Sequence, residues 1–223
     1  MSGFIEPQPL HVVPNPGGND DPLGESVLDP ALPWLRVFEP RDTCVVIGRH
    51  QDVEREVAVE RAKADGIPVY RRVAGGGAVV LAPGMAVVAV RLAPRPLGSV
   101  DWFDTVNEAL VPAVAAVAGV PVTVRGHGDL TILGDDGNPR KILGASLRQT
   151  SKMTVYLGVL MVADAVPLME AYLHPPSRRP DYRGNRDHRA FCINLGQRGV
   201  TVPALAASLD EHCRRILGPA ALA

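Results

Sequence analysis

Cysteine is scarce: only Cys44, Cys192 and Cys213 occur in 223 residues, an odd number at wide, unpatterned spacing. That argues against both a disulfide framework and a zinc site and points to a reducing compartment, so a cytoplasmic location is expected. Long apolar runs are missing as well. None approaches the ~20 residues that cross a bilayer, and the longest, Ala86–Val90 with its neighbours, has the length of a buried strand. The N-terminus has no charged segment leading into an apolar one, so no secretion signal is expected. Nor is either charge in excess: 23 Lys and Arg against 24 Asp and Glu leave a net −1, without the basic field that nucleic acid calls for. The histidines (His11, His50, His127, His174, His188, His212) are scattered without ligand spacing. Neither nucleic acid nor a membrane is therefore an expected partner. What the chain does have is 46% hydrophobic residues, enough at this length for one large domain or two small ones.

Residues 1 to about 30 are rich in Pro, Gly, Asn and Asp, as in Pro14-Asn15-Pro16-Gly17-Gly18-Asn19-Asp20-Asp21-Pro22. They are expected to form a loosely held arm ahead of one domain spanning 31–223. Strands are predicted at Trp34–Phe38 and Cys44–Ile47, then a helix from an Asp52 N-cap to Asp65, with Gly66 at its end. Ile67–Tyr70 and Ala78–Leu81 read as strands on either side of a glycine turn. Pro83-Gly84 turns into the strand Met85–Leu92, whose poor alternation predicts burial on both faces. Asp101 is read as the N-cap of a long helix through Ala118, closed by Gly119. Strands follow at Val122–Arg125 and Leu130–Leu133, the turn Gly134–Pro139, and strands at Lys141–Leu147 and Met153–Val162. A short helix near Pro167–Leu173 leads into the polar stretch His174–Arg189, and a last helix runs from Thr201 to Leu217 with Gly218 at its end. Hairpin-like strand groups separated by helices predict an α+β fold with a mixed, largely antiparallel sheet, not a doubly wound parallel one.

Arg71-Arg72-Val73-Ala74-Gly75-Gly76-Gly77-Ala78-Val79-Val80 is the most informative stretch. Three adjacent glycines weaken either regular element by roughly 0.5–1 kcal/mol each relative to alanine. In return they give a backbone that can take positive φ and let a ligand lie against its N–H groups. The arginines add fixed charge in a fork geometry suited to phosphate or carboxylate. A tight turn carrying two solvated arginines is the plainer alternative. A second segment, Gly126-His127-Gly128-Asp129-Leu130-Thr131-Ile132, leads through the turn to Arg140-Lys141-Ile142-Leu143-Gly144-Ala145-Ser146. A lysine entering an apolar strand is ordinarily an exposed edge guard.

Together these segments resemble the biotin/lipoate ligase and octanoyltransferase superfamily, and most of all lipoate–protein ligase. That family carries Arg-Arg-x-Ser-Gly-Gly-Gly-Ala-Val, then Asn-Asp, then Arg-Lys-Ile-x-Gly-Ser-Ala, in this order and with similar gaps. Gly48-Arg49-His50-Gln51 matches its Gly-Arg-x-Gln element, and the likeness covers roughly residues 34–217. The resemblance implies a ligase-like catalytic domain that joins the lipoate carboxylate to the α-phosphate of ATP and passes the acyl group to a lysine of an acceptor lipoyl domain. Both steps gather anionic oxygens, so positive charge and N–H donors matter more than a covalent nucleophile. By the resemblance Lys141 is the catalytic residue, bridging acyl carbonyl and α-phosphate. Arg72 would hold the phosphates with Arg71 in support. Gly75, Gly76, Gly77, Ala78 and Gly144 would lie against the substrate or nucleotide. Asp129 would orient Lys141 or contact Mg²⁺, which is expected with ATP.

Three positions depart from the family pattern: Ala74 replaces its serine, Val80-Leu81-Ala82 its Phe-His-Asp, and Gly128 its asparagine. The loop from Arg178 to Arg189 forms a basic patch that is either solvated or in contact with ATP phosphates or an acidic acceptor. Octanoyltransferases of the superfamily use a cysteine, and Cys192, beside this loop, is the candidate; Cys44 and Cys213 read as core. Three readings thus stand: an ATP-dependent ligase, an ATP-independent octanoyl or lipoyl transferase between carrier proteins, and a non-catalytic lipoate-binding module. The sequence after the last helix leaves no room for a C-terminal accessory domain, which some relatives receive as a separate polypeptide, so a second small protein is an expected partner.

Overall fold

The computed structural model describes residues 12–16, 20–177 and 179–221. Two sheets share the core. The smaller is mixed, in the order β1 (Val12–Val13), β4 (Val69–Arg71), β3 (Cys44–Ile47), β5 (Val79–Leu81). β4 runs parallel to both β1 and β3, and β5 runs antiparallel to β3. The larger is antiparallel throughout, ordered β2 (Leu35–Phe38), β6 (Met85–Leu92), β10 (Thr154–Met161), β9 (Pro139–Gln149), β8 (Asp129–Leu133), β7 (Thr123–Arg125).

Two long helices, α3 (Ser99–Ala118) and α6 (Val202–Ala221), cover one face of the larger sheet. Trp102, Leu110, Leu205 and Leu209 from these helices meet Val88, Val90, Leu143 and Ile132 from the strands. The period-2 pleat sends alternate residues to the other face. There Val87 joins Leu23, Val46 and Leu81 of the smaller sheet and its lead-in, while Ala89, Val155 and Leu157 meet Val27 and Ala74. β6 is consequently buried on both faces, as its sequence predicts.

The expected helix over 52–65 is two short ones, α1 (Val53–Glu56) and α2 (Val59–Ala64). Asp52 caps the first through the Glu54 N–H, and Gly66 closes the second at φ 67°. Between them Val57 is extended and bridges Leu173, after the short helix α4 (Val166–Tyr172), and Ala58 N donates to Tyr172 O at 3.0 Å. Pairing with a distant segment has overridden local helix propensity there. α3 begins two residues before Asp101, whose carboxylate instead accepts the Gly98 N–H at 3.0 Å. α6 continues through Gly218 because Leu217, Gly218 and Ala220 are buried, and Ala220 O accepts the Ala93 N–H at 3.1 Å.

Residues 12–16 and 20–30 of the expected arm make specific contacts. β1 pairs with β4, and the buried carboxylate of Asp21 accepts from Asn15, Leu23 N, Ser26 N and Arg36. Polar residues that read as solvated are here a hydrogen-bonded network. Residues 1–11 and 17–19 of that arm lie outside the described residues.

Candidate functional site

The glycine turn between β4 and β5 is built against the turn that follows β3. Gly48 packs so closely that an added Cβ would sit 2.2 Å from Gly76 O. Gln51 Oε1 accepts the Gly48 N–H at 2.7 Å, and Arg49 N donates to Ala74 O at 3.0 Å. The Gly-Arg-His-Gln element and the glycine run are thus one interlocked unit. Only Gly76 of the three glycines takes a left-handed φ, 92°. At Gly75, half-buried, and Gly77, exposed, an added Cβ would meet nothing within 4 Å, which leaves open space beside the backbone.

The two arginines hold this unit together. Arg72 is buried and donates to Gly75 O from Nε (3.0 Å) and Nη2 (2.7 Å), and from Nη2 to Gly77 O (2.7 Å). Burial lowers its pKa to about 10, partly offset by the nearby charge of Glu25, so it stays cationic at neutral pH. Arg71 Nη1 donates to the carbonyls of Gly48, Arg49 and Gln51 at 3.1, 3.1 and 2.8 Å. Arg72 thus clamps the turn's own carbonyls and sets the shape of the turn. Ala78 packs against the cluster of Val45, Ile47 and Val80 and brings no polar group.

Lys141 owes its placement to a β-bulge. Leu130 pairs with Leu143 but Thr131 pairs with Lys141, so Ile142 is an extra residue in β9. Strict alternation would put Lys141 on the helix-covered face with Leu143, Ala145 and Leu147. The bulge turns it to the opposite face, the one shared by Gly144 and Ser146. There an added Cβ at Gly144 would lie 2.9 Å from Lys141 Nζ, and one at Gly76 3.5 Å from Ser146 Cβ. Gly144 and Ser146 are about 7 Å apart along the strand, so lysine and glycine turn stand over neighbouring positions.

Lys141 Nζ pairs with Asp129 Oδ1 at 2.7 Å. Asp129 Oδ2 accepts from the Tyr182 hydroxyl, also at 2.7 Å. Burial, then the Asp129 charge and this bond, push the Tyr182 pKa up, which keeps the hydroxyl a donor. The sequence places Tyr182 in the basic loop but assigns it no role. Both Asp129 oxygens are engaged, so the carboxylate fits orienting Lys141 better than holding Mg²⁺. Among the described residues no group of three or more His, Cys, Asp or Glu could hold a metal. At Gly128 an added Cβ would fall 2.5 Å from the Phe103 ring, so that ring occupies the space a larger side chain would need.

The basic loop is folded on itself. Arg186 donates to Pro139 O (2.8 Å), Tyr182 O (2.5 Å) and Arg183 O (3.1 Å), and Arg183 donates to Arg186 O (2.9 Å). The Arg183 and Arg186 guanidinium groups stack over Phe191 at 4.7 and 5.1 Å. Burial, with Arg183 nearby, lowers the His188 pKa. Arg178 lies outside the described residues. Cys192 follows the short helix α5 (His188–Phe191) and bridges Lys141 through the backbone, and Ile193 N donates to Lys141 O at 3.0 Å. Its thiol is buried, and that burial raises its pKa despite Lys141 and Arg183. Cys192 also lines a separate cavity of about 370 Å³ with Asp136, Arg140, Asp164 and Arg189, to which neither Lys141 nor the glycine turn contributes.

Residues 21–214 match the family model for the lipoyl protein ligase A/B catalytic domain. The chain belongs to that family. Over 154 residues it is 27% identical to lipoate-protein ligase A of Blochmanniella pennsylvanica (strain BPEN), covering 69% of this chain but only 44% of that relative. Among solved structures, the archaeal bi-partite lipoate protein ligase studied with its E2 lipoyl domain, from Thermoplasma acidophilum, superposes with a TM-score of 0.75 at 22% identity. The match covers 93% of this chain and 82% of that one. A lipoate-protein ligase A bound with ATP gives a TM-score of 0.70 at 22% identity over 89% of this chain and 80% of that one. These likenesses establish the fold of this lipoyl ligase-family chain, an α+β domain with an antiparallel sheet, a mixed sheet and flanking helices. No helix among the described residues is long and apolar enough to cross a membrane.

Proposed function

We propose that this family member is a lipoate–protein ligase that activates lipoate with ATP to lipoyl-AMP and transfers the acyl group to a lysine of an acceptor lipoyl domain. One observation carries the reading: an ammonium group held by Asp129, turned by a bulge onto the face beneath a glycine turn with open space at Gly75 and Gly77. In the first step a lipoate carboxylate oxygen bonds to the α-phosphorus, the bond to the β-phosphate oxygen breaks, and pyrophosphate leaves. Lys141 Nζ donates to the acyl and phosphoryl oxygens as their charge shifts, beneath the open space at Gly75 and Gly77. One oriented donor of this kind lowers the barrier by ~3–4 kcal/mol. In the second step the acceptor amine attacks the acyl carbon, AMP departs with the bonding pair, and the amine proton goes to solvent.

Mg²⁺ fits best as a companion of the nucleotide, held by phosphate oxygens, since Asp129 is already shared between Lys141 and Tyr182. It would neutralise phosphate charge during attack. A lipoyl-domain acceptor and a separate accessory polypeptide are the proposed partners, supported by the bi-partite Thermoplasma system. We further propose that residues 31–223, together with the preceding segment that the family model reaches at residue 21, act as one catalytic domain. The ATP-independent transferase has one observation in its favour, Cys192 lying beside Lys141. Its buried thiol with a raised pKa makes it a poor nucleophile.

Incubation with lipoate, Mg-ATP and an apo lipoyl domain, with and without the accessory polypeptide, tests the proposal by intact mass. An ATP-dependent lipoyl adduct, retained in Cys192→Ala and lost in Lys141→Ala, is expected. Transfer from octanoyl carrier protein without ATP would establish the transferase instead. Tight lipoate binding with neither reaction would leave a binding module.

A further inference from the structure

We propose that Glu25 is a positioning residue that fixes the glycine turn, and hence that the segment preceding the first strand of the larger sheet is part of the site. The inference rests on the acyl-adenylate reading of that turn. Glu25 opens a single 3-10 turn, Glu25–Leu28, some 48 residues from the glycine run. Its Oε1 accepts the backbone N–H of Val73 at 2.6 Å. Val73 directly follows Arg72, whose guanidinium grips the carbonyls of Gly75 and Gly77 from the other side. The turn is therefore held at its start through an N–H and further along through two carbonyls.

The carboxylate is itself supported. Asn15 Nδ2 donates to Glu25 Oε2 at 3.2 Å and to Asp21 Oδ1 at 2.8 Å. Asp21 Oδ2 in turn accepts from Arg36 at 2.8 Å and from Ser26 N at 2.7 Å, and Arg91 Nη1 donates to Val27 O at 2.8 Å. Val27 packs against Ala74, the residue just before the glycines. Burial raises the Glu25 pKa while the Val73 N–H, Asn15 and Arg148 act to lower it, and the Glu25 charge in turn favours the cationic form of the buried Arg72 guanidinium. Without Glu25, the Val73 N–H loses its partner and Arg72 an opposite charge that favours its cationic form. The turn then gains freedom at the point from which its three glycines swing.

Hydrogen exchange and ligand affinity in Glu25→Ala and Glu25→Gln test this. The probe is a non-hydrolysable lipoyl-sulfamoyl adenosine, with Glu39→Ala as the control, since Glu39 makes the same carboxylate–amide bond at a remote turn, to Gly84 N at 2.7 Å. Loss of one charged hydrogen bond predicts that Glu25→Ala exchanges the Val73–Gly77 amides and loses probe affinity by about 10- to 100-fold. Glu25→Gln, which keeps an acceptor oxygen, is expected to recover most of both, and Glu39→Ala to change neither. Unaltered exchange at Val73–Gly77 in Glu25→Ala would overturn the proposal, as would equal loss of affinity in Glu39→Ala. If the wild-type chain itself does not bind the probe, the acyl-adenylate reading falls, while the exchange comparison still decides whether Glu25 holds the turn.

Discussion

Replacing Gly48 by alanine places a Cβ 2.2 Å from the carbonyl oxygen of Gly76. An ordinary carbon–oxygen contact is ~3.3 Å, so the two turns must part by about 1 Å. The neighbour is main chain and cannot rotate away. The displacement lands on the middle of the glycine turn between β4 and β5, while the α3–α6 core lies on the opposite face of the larger sheet. A misplacement of about 1 Å is enough to lose ~100-fold in rate, or roughly 2.7 kcal/mol of barrier. Lipoate-dependent pyrophosphate release by Gly48→Ala, alongside its thermal melt, is the assay. Gly66→Ala serves as the reference for backbone strain alone, because Gly66 has φ 67° with nothing within 4 Å of an added Cβ. The expected result is near-complete loss of activity in Gly48→Ala, with a melt shift no larger than that of Gly66→Ala by more than a few degrees. A Gly48→Ala enzyme within about threefold of the wild-type rate would refute the idea that the glycine turn must sit where it does.

Gly144→Ala crowds Lys141 Nζ, a flexible end, so it should leave stability within about 1 kcal/mol while lowering turnover, read from melts and initial rates. Tyr182→Phe removes one donor to Asp129, and a fall of about tenfold in kcat with little change in KM for lipoate is expected from steady-state kinetics. Burial disfavours the Cys192 thiolate and raises its pKa, so alkylation by iodoacetamide near neutral pH should be slower than for a free thiol and Cys192→Ala should keep activity. Burial alone would raise the Asp21 pKa, but hydrogen bonds from Ser26, Asn15, Glu25 and Leu23 outweigh it and leave it lowered. Its contribution is therefore full above the ordinary carboxylate pKa and lost as pH falls through the folded value; acid melts should show Asp21→Asn less stable at neutral pH and flatter toward low pH.

Much of the fold is legible in the sequence because single residues punctuate it. Gly119 and Gly66 end helices, and Met85–Leu92 is a buried strand in both readings. Glycine run, Lys141 and Asp129 are legible as a site because they recur in order within a known family pattern. What the sequence conceals depends on contacts between distant segments. Val57 leaves the helix to bridge Leu173, and Asp21 and Glu25 look like solvated arm residues until their partners at 36 and 73 are known. The bulge at Ile142 is invisible to any periodicity argument, since the alternation on either side of it is regular. Arg72 reads as an anion binder by residue type, and nothing in its neighbours shows that its guanidinium also grips the carbonyls of its own glycine turn. Tyr182 stands in the basic loop, but its role is defined only by a bond across 53 residues.

The central claim, that Lys141 on its bulged strand drives acyl adenylation, is tested most directly by lipoate-dependent exchange of labelled pyrophosphate into ATP, measured for the wild-type chain and Lys141→Ala with the accessory polypeptide present. The account predicts exchange in the wild type that needs lipoate and falls by at least about 100-fold without the lysine. Undiminished exchange in Lys141→Ala would contradict it.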